Sequence, residues 1–190
     1  MYRGGIFDQG LKSMPDLFLK SGATFSPCRT WRYALWRIWD DDKMAVLWIG
    51  LNPSTAEEEK NDPTVRRCMG FSRDWGYGGI FMLNVFAFRA TDPQVMKAAE
   101  DPIGQENYRT IQEYHEVAGL TVAAWGVHGA FMDQAAAVCR LERISPHAKT
   151  RYLGEDLWCL DITQGGHPSH PLYQPANLKP RRYTPRKDAT

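Results

Sequence analysis

No hydrophobic run in this chain reaches the ~18 residues of a membrane-spanning helix, and the opening MYRGGIFDQGLKSMPDLFLK holds none of signal-peptide length. A soluble, cytoplasmic protein with no membrane partner is therefore expected. Cysteine is scarce. The four present, Cys28, Cys68, Cys139 and Cys159, form no C-x-x-C pair, which argues against a zinc ribbon, a redox dithiol or a local iron–sulfur cluster. Reduced, mostly structural thiols are expected, with neither metal nor cofactor. An excess of one charge is also lacking: 23 Lys and Arg stand against 22 Asp and Glu, a formal charge of +1. No global field advertises a polyanionic partner, so any nucleic-acid surface must be local.

What is present suffices for one sizeable core, since 43% of the 190 residues are hydrophobic and 12% aromatic. The expected organisation is an N-terminal segment (1–24), a single α/β domain (25–177) and a basic C-terminal tail (178–190), as a monomer. KMAVLWIGLNP (43–53) is an apolar run ending in a breaker, as a strand buried on both faces reads, and RTWRYALWRIWD (29–40) precedes it as an antiparallel edge strand. DPTVRRCMGFSRDWG (62–76) has a proline near its start, apolar residues at helical spacing and a terminal glycine, which predicts a helix. GGIFMLNVFAFRATDP (78–93) supplies the next strand, with an apolar core from Ile80 to Phe86. A helix over 103–118, a strand in LTVAAWG, a helix over 128–143 and strands in TRYLG and LWCLDIT complete the alternation. Right-handed crossovers then give a three-layer sandwich around a central, mainly parallel sheet.

Function in such a sheet collects at the carboxyl ends of the strands. GLNPSTA leaves the first parallel strand, Asn84 lies near the end of the second, AWGVHG leaves the third, and ITQGGHPSHPLY (162–173) follows the last. The final stretch sets His167 and His170 among glycines and prolines, so neither belongs mid-helix or in a paired central strand. Four distant segments thus converge on one rim.

The motifs SPCRTWRY, GLNPSTAEEEKNDPTVRRCMGFSRDWGYGG, NVFAFRATDP, AAWGVHG and GHPSHPLY, spread over roughly 25–175, resemble the family called domain of unknown function 1643. Four short motifs among them also resemble, in their order along the chain, those of the uracil-DNA glycosylase superfamily. GLNP is similar to that superfamily's water-positioning motif, G-Q-D-P-Y or G-I-N-P-G, which implies a catalytic role for Asn52. FMLNVFAFRA resembles its L-L-N-T-V-L-T-V-R segment, whose asparagine reads the pyrimidine edge, implying a base-binding Asn84. AAWGVHG resembles a structural strand-to-helix turn. GHPSHPL resembles H-P-S-P-L, whose histidine bonds the departing base and whose leucine wedges into the duplex. The resemblance therefore implies a metal-free DNA glycosylase fold and activity on a flipped nucleotide, with Ser169 and Leu172 on the DNA. Its chemistry suits these residue types: an amide such as Asn52 can orient a water, and an imidazole can stabilise charge growing on the leaving base.

Two departures stand out. Ser54 occupies the place of the tyrosine that blocks substituents on uracil, so a larger base is admissible. His170 is an extra residue in the last motif; either histidine can face the base, and His167 is preferred because it directly follows the glycine pair, leaving His170 as a base-binding neighbour. Each choice also has a structural reading: Asn52 before Pro53 suits an Asx turn, Asn84 can satisfy backbone groups, and His128 can begin a helix. Arg66 and Arg67, with Thr64 at a helix start, and Arg29 in SPCR are candidate phosphate contacts, or solvated cations. LKPRRYTPRK (178–187), with Tyr183, suits a nucleic-acid backbone or a soluble tail. The expected partner is single- or double-stranded DNA, or a nucleotide. Alternatives to a glycosylase are an inactive modified-base binding module and an enzyme acting on free nucleosides or nucleotides.

Overall fold

In AVLWIG every residue is buried, and the stretch forms β3 (Ala45–Gly50) at the centre of the sheet. The computed structural model describes residues 18–54, 56 and 60–185. The remaining strands are β1 (Lys20–Phe25), β2 (Arg32–Ile38), β4 (Gly79–Asn84), β5 (Leu120–Ala123), β6 (Leu157–Cys159) and β7 (Arg181–Arg182), and the order across the sheet is β1-β2-β4-β3-β5-β6-β7. β4, β3, β5 and β6 run parallel to one another, while β1, β2 and β7 join antiparallel at the margins. The chain is thus an α/β protein built on a largely parallel central sheet.

Period-two alternation in β3 divides the core. Val46 and Trp48 pack with Val65, Cys68, Met69 and Phe71 on one side, and Leu47 and Ile49 with Met96, Ile111 and Val138 on the other. The first side is covered by α1 (Pro63–Asp74), whose start is set by Asp62: its carboxylate accepts the Val65 N–H at 2.8 Å, and Pro63 opens the first turn. The second side carries α2 (Pro93–Lys97) and α3 (Asn107–Val117), with α4 (Gln134–Cys139) beyond. Among the described residues no helix is long and apolar enough to cross a membrane. Cys68, Cys139 and Cys159 are buried and free, and Cys28 is exposed.

The structure corrects several expected elements. The strand within 29–40 is not at the edge, because β1 pairs outside it. β1 is hard to see in KSGATF, where the buried residue is Gly22; a Cβ there would come within 2.4 Å of the Trp36 ring. The single helix expected over 128–143 is broken into a 3-10 turn (Val127–Asp133) and α4. Met132 and Asp133 adopt left-handed φ values of 54° and 55°, and the break lets Phe131 lie 5.8 Å from Phe86. TRYLG contributes a bridge from Tyr152 to Glu142 and a 3-10 turn (Leu153–Asp156) rather than a strand of the sheet. β1 and β7 draw the sheet's margins from both terminal segments of the chain.

α3 also buries a histidine. His115 Nδ1 lies 2.7 Å from the Thr121 hydroxyl, and its Nε2 is buried without a partner. Burial first, and then the nearby Arg143 guanidinium, push its pKa down to about 4, against the opposing pull of Glu116 and Asp156. The folded state therefore holds His115 neutral. Its contribution to stability is present in full above the unfolded value of 6.5 and is lost as pH falls towards about 4, because the unfolded chain takes up a proton that the native state refuses. Urea-unfolding free energy should fall between these limits by at most ~1.4 kcal/mol per pH unit. In His115→Asn that slope should flatten; an unchanged slope would assign it to other groups.

Candidate functional site

β3 is the point where the strand order reverses, since one crossover leads to β4 on one side and the next to β5 on the other. Past the carboxyl ends of these strands lies a cavity of about 550 Å³, lined by residues from every segment of the expected rim. The loops after β3 and β4 are zipped together: Val85 N–H donates to Gly50 O at 2.9 Å, Phe86 N–H to Leu51 O at 3.0 Å and Ala90 N–H to Pro53 O at 2.9 Å.

Asn52 sits in this zipper. Its Nδ2 donates to Ala90 O at 2.7 Å and Pro53 O at 3.2 Å, which fixes the amide plane and leaves Oδ1 as the acceptor. Asn84 ends β4 on the same cavity wall, 3% exposed, and its Nδ2 is buried with no hydrogen-bond partner. Gly50 is required beside it, since a Cβ would lie 2.9 Å from Asn84 Oδ1. The backbone at Asn84 is held by Asn107, whose Nδ2 donates to Asn84 O at 3.0 Å and Val85 O at 3.1 Å. Sequence reasoning missed Asn107; the available clue was a polar residue at the start of an apolar helical face.

The two-histidine loop reaches the cavity through its second imidazole. His170 lines it, whereas His167, the histidine preferred from the motif, does not. Thr163 N–H donates to His167 O at 2.8 Å and His167 N–H to Thr163 Oγ1 at 3.2 Å, so residues 163–167 close on themselves as a turn with Gly166 at φ 83°. The chain emerges from this turn with Pro168 and Ser169 buried, and Gly126 N–H donates to Pro168 O at 3.0 Å. His170 Nδ1 accepts the Leu172 N–H at 3.3 Å, so the neutral ring carries its proton on Nε2. Burial lowers the His170 pKa, against the opposing attraction of Asp62, and so favours the neutral form.

The other expected site residues fall in different places. Ser54 lies where the cavity meets a neighbouring cleft of about 590 Å³, which is lined by Arg29, Lys60 and Arg89 among others. Arg29, at φ 59°, stacks its guanidinium 4.0 Å from the Phe25 ring. Arg66 donates to Asn61 O at 2.6 Å, and Arg67 donates to Gln174 O while lying over the Phe71 ring; neither lines the cavity. Ser169 is buried and Leu172 is 38% exposed, and neither lines the cavity, whereas Tyr173, 80% exposed, does. His128 lines the cavity from the 3-10 turn, 3.4 Å from Lys97 Nζ. In the basic segment, Arg181 pairs with Asp161 at 3.2 Å and Arg182 with Asp156 at 3.1 Å, and Tyr183 is buried against Trp125. Among the described residues no cluster of three or more His, Cys, Asp or Glu is grouped to hold a metal ion.

Two further lining residues carry buried polar atoms. Trp125 is buried with Nε1 unpartnered, and Arg32 is a buried cation at the start of β2. The cavity therefore presents buried N–H donors, a neutral imidazole and an anchored amide oxygen, a set suited to a ligand rich in acceptor atoms.

Fold and cavity together define an α/β domain with a ligand-sized polar site at a strand-order reversal. Residues 32–172 match the family described as protein of unknown function DUF1643, and the chain belongs to that family. Comparison with curated proteins and with solved structures finds no match.

Proposed function

We propose that the chain is a DNA glycosylase-like hydrolase that cleaves the N-glycosidic bond of a damaged, mismatched or modified base held flipped out in the cavity. The observation that carries this reading is the buried, unpartnered Asn84 amide on the wall it shares with Asn52 and His170. A buried donor left without a partner costs the free protein stability, and the acceptor edge of a base would restore the missing bond. The ordered resemblance of GLNP, FMLNVFAFRA and GHPSHPL to the uracil-DNA glycosylase superfamily supports the same assignment.

In this mechanism Asn52 Oδ1 accepts a hydrogen bond from a water aligned with the sugar C1′. The C1′–N bond breaks with its electron pair going to the base, the water oxygen bonds to C1′, and the water's second proton passes to solvent. His170 Nε2–H donates to the base oxygen on which negative charge grows. Leu172, exposed between the lining residues Pro171 and Tyr173, fills the gap left in the duplex. Ser54 leaves the adjoining cleft open to a base substituent.

An alkaline-cleavage assay on oligonucleotides carrying uracil, hypoxanthine, hydroxymethylated and glucosylated pyrimidines tests the reading. Strand scission at one base class is expected; intact glycosidic bonds across the panel, in single and double strands, would sink it.

A second reading, hydrolysis of a free nucleoside or nucleotide, is favoured by one observation. Arg66, Arg67, Arg181 and Arg182, the cations best suited by sequence to grip a DNA backbone, are engaged with protein partners. Turnover of a mononucleotide, together with DNA affinity that hardly changes with salt, would select it.

A further inference from the structure

The mechanism above uses the amide and imidazole walls of the cavity and leaves its one arginine idle. Arg32 lines the cavity at 2% exposure. Its Nη1 donates to Ala56 O at 2.9 Å, while its Nε is buried with no hydrogen-bond partner. A guanidinium carries a fork of N–H donors and stays charged. Among the described residues that fork meets a single neutral carbonyl.

Among the described residues no carboxylate is hydrogen-bonded to this guanidinium, although Asp62 lines the same cavity. Asp62 attracts Arg32 through space, but no hydrogen bond joins them, and its Oδ1 is already committed to the Val65 N–H at the start of α1. Arg37 and Arg89 repel the same guanidinium, and burial, the largest influence, lowers its pKa to about 10. Burying a cation in this way is costly unless an anion with good geometry completes the site. Packing within β2 accounts for the methylene stem of Arg32 but not for a polar end that lines a cavity.

We propose that the ligand of this cavity carries an oxyanion, a carboxylate or a phosphate, that seats against the Arg32 guanidinium. This deepens the base-binding reading and rests on it for the remainder of the ligand: Asn84 and His170 contact the base, and Arg32 selects either an acidic substituent on that base or the phosphate of a nucleotide. A planar or tetrahedral oxyanion can accept two parallel N–H bonds from the fork, which a neutral amide or hydroxyl of similar size cannot match. A cleft lined in part by Arg29, Lys60 and Arg89 is contiguous with the cavity at Ser54.

The test uses matched ligands and calorimetry on the full chain. One pair is 5-carboxy-2′-deoxyuridine against its neutral 5-carboxamide; the other is deoxyuridine monophosphate against deoxyuridine; inorganic phosphate is a third arm read by thermal shift. In at least one pair the anionic member should bind ~10-fold or more tightly, and which pair does so identifies the source of the oxyanion. The preference should shrink to within about twofold in Arg32→Gln and persist in part in Arg32→Lys, which keeps the charge without the fork. The comparisons on the native protein decide the matter even if Arg32→Gln does not fold. Nucleosides bound with no anion preference, together with no response to phosphate, would overturn the proposal and leave the base-binding reading standing. Stabilisation by phosphate in the native protein and not in Arg32→Gln, with no nucleoside bound, would uphold the anion site and overturn the base-binding reading. No binding by any probe would overturn both.

Discussion

Asn52→Ala and His170→Ala should each slow base release by ~10²–10³-fold, the usual cost of removing one preorganised polar group from a site of developing charge. His167→Ala should stay within about twofold of the native rate, because that side chain lies outside the cavity wall. The contrast separates placement from motif. Both imidazoles stand in the same loop, but only His170 has its Nδ1 occupied by the Leu172 N–H and thereby its Nε2 proton available to a base oxygen. Asn52→Asp is the informative companion. It restores an oxygen for the water but replaces the Nδ2 donor to Ala90 O and Pro53 O with a second oxygen, which those carbonyls repel. Its rate should therefore remain well below that of the native protein. Single-turnover kinetics at saturating enzyme measures all four variants on equal terms. A slow His167→Ala beside a native-like His170→Ala would refute the assignment.

Asn84→Leu should weaken nucleoside binding by ~10²-fold or more while leaving the fold as stable as the native one, or more so. The side chains share a branch point, so the change mainly exchanges polar atoms for methyl groups. In the free protein it removes a buried amide nitrogen that has no partner, and deleting an unsatisfied polar group is neutral or stabilising. In the complex it leaves the base edge unpaired, and such sites reject mismatched partners strongly. One branch of the leucine must also fit where Asn84 Oδ1 approaches Gly50, a position with no Cβ to obstruct it. Thermal unfolding and calorimetric titration of the same sample provide both readouts. A destabilised variant with undiminished binding would assign Asn84 to architecture instead.

Much of the fold was legible because hydrophobic period and breakers are local. AVLWIG is buried on both faces and DPTVRRCMGF carries its own cap and apolar stripe, so β3 and α1 could be read without a partner in view. β1 could not. Its contribution is a glycine that admits the Trp36 ring, and nothing in KSGATF names that ring. The break before α4 was equally hidden, since the composition around Phe131 suits a helix and only its packing near Phe86 accompanies the left-handed pair that follows.

The site divides in the same way. The sequence by itself determined which strand ends would converge, and so that Asn52, Asn84 and a histidine of the last loop share a cavity wall, because residues just past parallel strands must lie on one rim. Only the tertiary structure decided which histidine reaches the wall: the turn over 163–167 turns back on itself through hydrogen bonds between Thr163 and His167, and the cavity receives His170. It likewise placed Arg32 in the lining, since the fate of a cation on a buried strand depends on what the neighbouring loops leave open beside it.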